Sequence, residues 1–154
     1  MALSESRLRV YVDANVILSG ISTDNPHSAS RVILVSSELT LFDLIANQRA
    51  IDECSRNLEH FVEDKSQLNK LQGTLHDVVS RAIEVVKTPA TNNRKAIPGT
   101  DPKDLVHLFS AVDHSCDYLV TANRKDFPEG HAGVSVIEPG TLVKRIRGRI
   151  KGLS

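Results

Sequence analysis

Three acids and one polar turn are spaced so that folding could bring them together: Asp13, Glu53, Asp104 and the run Asn123-Arg124-Lys125-Asp126. Asp13 closes Leu8 to Val12, whose alternation of apolar with other residues reads as a strand. Asp104 follows Asp101-Pro102, a helix start. The 123–126 run follows Tyr118-Leu119-Val120-Thr121, a short buried strand. In a parallel sheet such strand ends gather on one edge, where open α/β proteins place their ligands. Glu53 comes from a helix, on a border of small residues (Ala46, Ala50, Asn57) that leaves room for a metal or another element. Carboxylates held close repel one another, and the hard cations Mg2+ or Mn2+ relieve that cost. A bound divalent ion can activate water and polarise a phosphate, so the chemistry indicated is metal-assisted phosphodiester hydrolysis. No Cys/His cluster offers zinc instead.

Each of these residues also has a plain structural use. Asp13 can cap the helix that follows it. Asp104 fits the third position of a capping box, Glu53 a solvated helix flank, and Asp126 a surface turn beside Phe127. Thr121 suits a strand as a β-branched residue and could also orient a water or ligand. Asn15 is best placed to fix the turn after Asp13.

The elements that must position these groups alternate. After the first strand a helix runs from Asn15 to Ile21, closed by Gly20, then a loop with Pro26, then a helix from Ala29 to Ser37 built on Val32, Ile33 and Val35. Leu39 to Phe42 reads as a short strand, and about Ile45 to Asp64 as a helix with Ile51, Cys54, Leu58, Phe61 and Val62 buried. Asp52 falls on its solvated side. A helix over Ser66–Ala82, a strand over Ile83–Val86 and a Pro/Asn/Gly loop over Thr88–Thr100 follow, in which Arg94 and Lys95 read as solvated charges. Leu105, Leu108, Phe109 and Val112 form the stripe of the next helix, and Val134–Ile137 is the last strand. The segment at about 140–151 sets Leu142, Val143, Ile146 and Ile150 against Lys144, Arg145, Arg147, Arg149 and Lys151, a basic amphipathic helix. Strands alternating with helices predict one α/β domain over residues 1–154, a three-layer α/β/α sandwich with a central parallel sheet.

The 154 residues suffice for a sizeable core, and 40% apolar with 25% charged residues is ordinary globular composition. A formal net charge of +0 supplies no global attraction for nucleic acid. RNA contact must come from local patches, of which Arg145, Arg147 and Arg149 are one. Cys54 and Cys116 suggest buried reduced thiols, and no run approaches a membrane span, so a cytoplasmic protein is expected.

The same residues resemble those of the PIN domain family. Val10-Tyr11-Val12-Asp13-Ala14-Asn15 is similar to its opening strand and Asp-x-Asn, Glu53 to its middle acid, and Asp104 with Ala111, Asp117–Thr121 and Lys125-Asp126-Phe127 to its carboxyl-terminal half. The resemblance implies a Mg2+- or Mn2+-dependent ribonuclease with Asp13, Glu53 and Asp104 as catalytic metal ligands, joined by Asn123 and Asp126 and supported by Asn15 and Thr121. RNA as substrate follows from the resemblance alone. So do an antitoxin protein and further copies of the chain as partners, since many members are toxins of toxin–antitoxin pairs. The family usually carries Thr-x-Asp where this chain has Thr121-Ala122-Asn123. The second reading is therefore a PIN-like domain that binds RNA or a protein without cleaving it. A glycine-rich phosphate loop is absent, which disfavours a nucleotide-binding protein.

Overall fold

The computed structural model describes residues 7–38 and 42–153, with the side chains of 149–153 left aside. The strands are β1 (Leu8–Val12), β2 (Phe42–Asn47), β3 (Ile83–Val86), β4 (Tyr118–Val120), β5 (Gly130–His131) and β6 (Val134–Ile137). The helices are α1 (Ala14–Ser22), α2 (Ala29–Glu38), α3 (Gln48–Phe61), α4 (Lys65–Ala82), α5 (Leu105–Asp113) and α6 (Pro139–Leu153). The sheet order is β3-β2-β1-β4-β6-β5, parallel throughout except for the short edge strand β5. β1 lies centrally, with Val10 opposite Leu44 on one side and Val12 opposite Val120 on the other.

Alternation along β1 divides the core into two. Leu8, Val10 and Val12 pack with residues of α1, α2, α3, α4 and α6, whereas Tyr11 faces Leu108, Phe109 and Ala111 of α5, with Ile97 and Phe127. Helices on both faces of a mostly parallel sheet give the expected three layers. α5 is buried nearly all round, His107 and Ser110 included, rather than along one stripe.

Several boundaries differ from the sequence reading. Ile45, Ala46 and Asn47 belong to β2, not to the helix, and Asn47 caps α3 by accepting from the Ala50 N–H at 2.9 Å. The strand begins at Phe42; Leu39 to Leu41 lie outside the described residues. Phe61, expected in the core, is 74% exposed at the end of α3, and Val35 is half exposed while Leu34 turns inward. Arg94 is not free in solvent: it forms a two-point ion pair with Asp113 at 2.7 and 3.0 Å and stacks over Phe109.

Gly20 does not end α1 but lies within it. A Cβ there would sit 2.5 Å from Leu34 Cδ1 and 3.0 Å from the Ser30 carbonyl oxygen, so glycine is what lets α1 approach α2. Arg31 completes the join by donating to the carbonyls of Gly20 and Thr23 at the carboxyl end of α1. Gly20→Ala is expected to destabilise the fold by about 1–3 kcal/mol, the cost of overpacking. Urea unfolding would show a lower midpoint with an unchanged slope.

Candidate active site

β1 and β4 run side by side, so the residues after them emerge together. Asp13 follows β1, Thr121 follows β4, and their side chains meet: Thr121 Oγ1 donates to Asp13 Oδ2 at 2.6 Å. Asn15 Nδ2 donates to the same oxygen at 3.2 Å, while its Oδ1 accepts from the Ala122 N–H. Asn15 thus ties the start of α1 to the turn after β4. The capping role open to Asp13 is not taken up, since its side chain makes no cap hydrogen bond. Its other oxygen, Oδ1, is buried without a hydrogen-bond partner among the described residues. Burial lifts the Asp13 carboxyl to about 6; the Thr121 bond and the nearby backbone N–H of Val16 oppose that rise, and Asp104 and Glu53 add to it by repulsion.

Asp101 caps a single 3-10 turn, Pro102–Asp104, by accepting from the Lys103 N–H. The capping box read from the sequence does not close. The Asp101 N–H that Asp104 would have reached instead donates to the Asp126 carbonyl at 2.9 Å, and Asp104 makes no side-chain cap bond. That backbone link fastens the turn Arg124–Asp126 against the start of α5. Asp104 is accordingly raised to about 6, by partial burial first and by the neighbouring Asp126 second.

Asp13, Glu53, Asp104 and Asn123 line one open cleft of ≈ 330 Å³, together with Asn15, Arg49, Asn57, Lys103 and His107. Asp126 approaches through its effect on Asp104 and does not itself line the cleft. Glu53 is held from its own helix by Arg49, Nε to Oε1 at 3.4 Å, and faces His107 Nε2 at 4.0 Å. Asp52 points elsewhere, bonded to Gln48.

The fit to a divalent cation can be weighed on these observations. The donors are oxygens, as Mg2+ and Mn2+ require, one of them is buried and unpartnered, and two carboxyls are raised in part by nearby like charge. Among the described residues, however, no three His, Cys, Asp or Glu side chains close into a metal-binding group. The donor chemistry therefore fits, while the carboxylates converge on a cleft without surrounding a point.

The basic tail falls elsewhere. α6 packs through Leu142, Val143 and Ile146, and Arg145 bonds the Tyr118 hydroxyl at 3.0 Å with its guanidinium near that ring. Tyr118 begins β4, at the sheet edge opposite Thr121 and about 10 Å from it. Arg145 therefore leaves the cleft's positive charge to Arg49 and Lys103. Arg147 is exposed, and the Arg149 side chain lies outside the described residues.

Sequence reasoning passed over Arg49, Lys103, His107 and Asn47. Arg49 and Lys103 carried a readable signal, four residues before Glu53 and one before Asp104. Asn47 and His107 did not, because their partners are distant in sequence: Asn47 bonds the Val106 carbonyl and Ser110, and His107 bonds Tyr11. Burial, helped by Arg49, lowers His107 to about 4; burial also raises both cysteine thiols to about 12, so neither thiol is a nucleophile at neutral pH. No described helix is long and apolar enough to cross a membrane.

The PIN domain profile matches residues 9–125, a span that holds Asp13, Glu53, Asp104 and Asn123. No curated protein matches the chain.

Proposed function

The chain belongs to the PIN domain family, and on that premise we propose that it is a Mg2+- or Mn2+-dependent endoribonuclease. One observation carries the reading: Asp13, with a buried and unpartnered Oδ1, shares a cleft with Glu53, Asp104 and Asn123 at the carboxyl edge of the sheet. Asp13, Glu53 and Asp104 are the groups that would hold the ion, with Asn123 contributing a neutral oxygen and Asp126 adding negative charge beside Asp104. Once bound, a divalent cation supplies the positive charge that acidifies water and polarises a phosphodiester. The chain's own residues do the rest. Thr121 and Asn15 orient Asp13, and Arg49 and Lys103 offer cations to the phosphates entering the cleft. Arg145, Arg147 and Arg149 provide a more distant contact for flanking RNA, and an antitoxin would be the expected protein partner.

The deciding measurement is cleavage of single-stranded RNA with and without added Mg2+ or Mn2+. Cleavage that requires the metal, at a concentration lowered by Asn123→Asp, is the expected result, since restoring one negative charge tightens a divalent site. Asp126→Ala should raise the requirement. The open carboxylate arrangement and Asn123 favour a second reading, a domain that binds RNA without cutting it. Retained RNA binding with no cleavage at any metal level, and cleavage gained in Asn123→Asp, would establish that one instead.

A further inference from the structure

Tyr11 is fully buried beneath the cleft, on the face of β1 opposite Val10 and Val12. Its hydroxyl meets His107 Nδ1 at 2.8 Å and accepts the backbone N–H of Asn47 at 3.3 Å. If His107 carried its proton on Nδ1, the Tyr11 oxygen would accept from both neighbours, and its own O–H would be buried with nothing to bond. A buried unsatisfied donor is costly, so the Tyr11 O–H donates to Nδ1. The ring proton is thereby left on Nε2, the nitrogen 4.0 Å from Glu53 Oε1.

Resting on the ribonuclease reading above, we propose that His107 is a positioning residue: Tyr11 fixes its ring with the proton on Nε2, and that N–H steadies the Glu53 carboxylate at the cleft. At 4.0 Å the contact is longer than a hydrogen bond, and either a small side-chain closure or one bridging water completes it. Contacts of this kind are commonly long in the unliganded state and tighten in the complex. Glu53 is then held from two sides, by Arg49 of its own helix and by His107 of α5. The ring cannot turn away, since it is 2% exposed and fastened at Nδ1 to the central strand. The chain Asn47–Tyr11–His107–Glu53 thus links the end of β2, the core of β1 and the start of α5 to one carboxylate. In metal sites, partners that orient a ligand in this way change affinity or activity by roughly 10–100-fold when removed.

Long-range 1H–15N correlation on the metal-free, 15N-labelled full chain reads the tautomer directly. A single form protonated on Nε2 is expected, giving way to a mixture in Tyr11→Phe; a native ring protonated on Nδ1 would overturn the proposal. Calorimetry with Mn2+ reads the consequence. His107→Leu should weaken binding roughly tenfold or more, and His107→Gln, which keeps an N–H donor at similar reach, should recover most of it. A merely structural histidine would predict equal losses in both variants or in neither, and either result would count against the proposal. If the native chain binds no Mn2+, it is the ribonuclease reading that fails. The positioning role is then decided in the metal-free protein by the Glu53 side-chain 13C resonances, which should show rotamer averaging in His107→Leu and Gln, more in the former. Unchanged Glu53 resonances would refute it. Should His107→Leu not fold, the native tautomer and His107→Gln still decide.

Discussion

Asp13→Asn is expected to abolish metal-dependent cleavage and, in the same molecule, to flatten the pH dependence of stability. The amide keeps an oxygen for Thr121 and Asn15, so the local structure should survive. It removes the charge that a divalent ion would use, and cleavage should fall by at least about 100-fold. The stability effect follows from the raised carboxyl. Its folded-state value is about 6 against an ordinary 3.8, so between those values the folded chain holds a proton that the unfolded chain has released. Stability of the metal-free protein therefore declines as pH rises from about 4 to about 6, and the cost remains in full above that. A rise of two units corresponds to roughly 3 kcal/mol. Asp104, raised in the same direction but more exposed, adds a smaller decline over the same window. Urea unfolding in the presence of a chelator, from pH 4 to pH 8, should show the larger part of this decline in the native chain and lose it in Asp13→Asn. Parallel curves for the two proteins would mean that Asp13 titrates normally.

Thr121→Val should have the second-largest effect, through Asp13. Valine keeps the β-branched shape at the end of β4 but removes the hydroxyl that donates to Asp13 Oδ2 and accepts the Asn123 N–H. The bond at 2.6 Å has a charged acceptor, and its loss above pH 6 should cost about 1.5–3 kcal/mol. Because this hydroxyl opposes the rise of the Asp13 carboxyl, its removal should also move the stability decline to higher pH. Cleavage should drop roughly 10–100-fold, with the metal requirement raised. Thr121→Ser, which keeps the oxygen, should restore both. Thr121→Val should cost less in the Asp13→Asn background than in the native chain, since the two residues act through one contact. Strict additivity would place the role of Thr121 elsewhere.

What the sequence made legible was local. Asp13 was visible because alternating Leu8, Val10 and Val12 mark a strand that ends at it, and Asp104 because Asp-Pro marks a helix start. Thr121 and Asn15 were legible as neighbours of those landmarks, though not as partners of one another across the sheet. The boundary of β2 was missed because its second half is buried on both faces. Leu44, Ile45 and Ala46 then show no alternation and merge with the helix that follows. β5, only two residues long, has no period to read. His107 was hidden for a different reason. A buried histidine on an apolar helix is explained only by Tyr11, which lies 96 residues earlier. The missing capping box at Asp104 likewise depends on the Asp126 carbonyl, which competes for the same N–H.

The bond between Thr121 and Asp13 spans 108 residues, and the β1–β4 pairing that aligns them spans the same length of chain. That distance is also an interval of time. At translation rates of about 5–20 residues per second, roughly 5–20 s pass between synthesis of Asp13 and synthesis of Thr121. During that interval β1 can pair with β2 through contacts already made, but Asp13 has neither its orienting hydroxyl nor, for most of it, Asp104. A nascent or prematurely ended chain would therefore carry the opening motif without the partners that orient Asp13. On the ribonuclease reading, the order of the strands delays activity until β4 and the turn after it have been made.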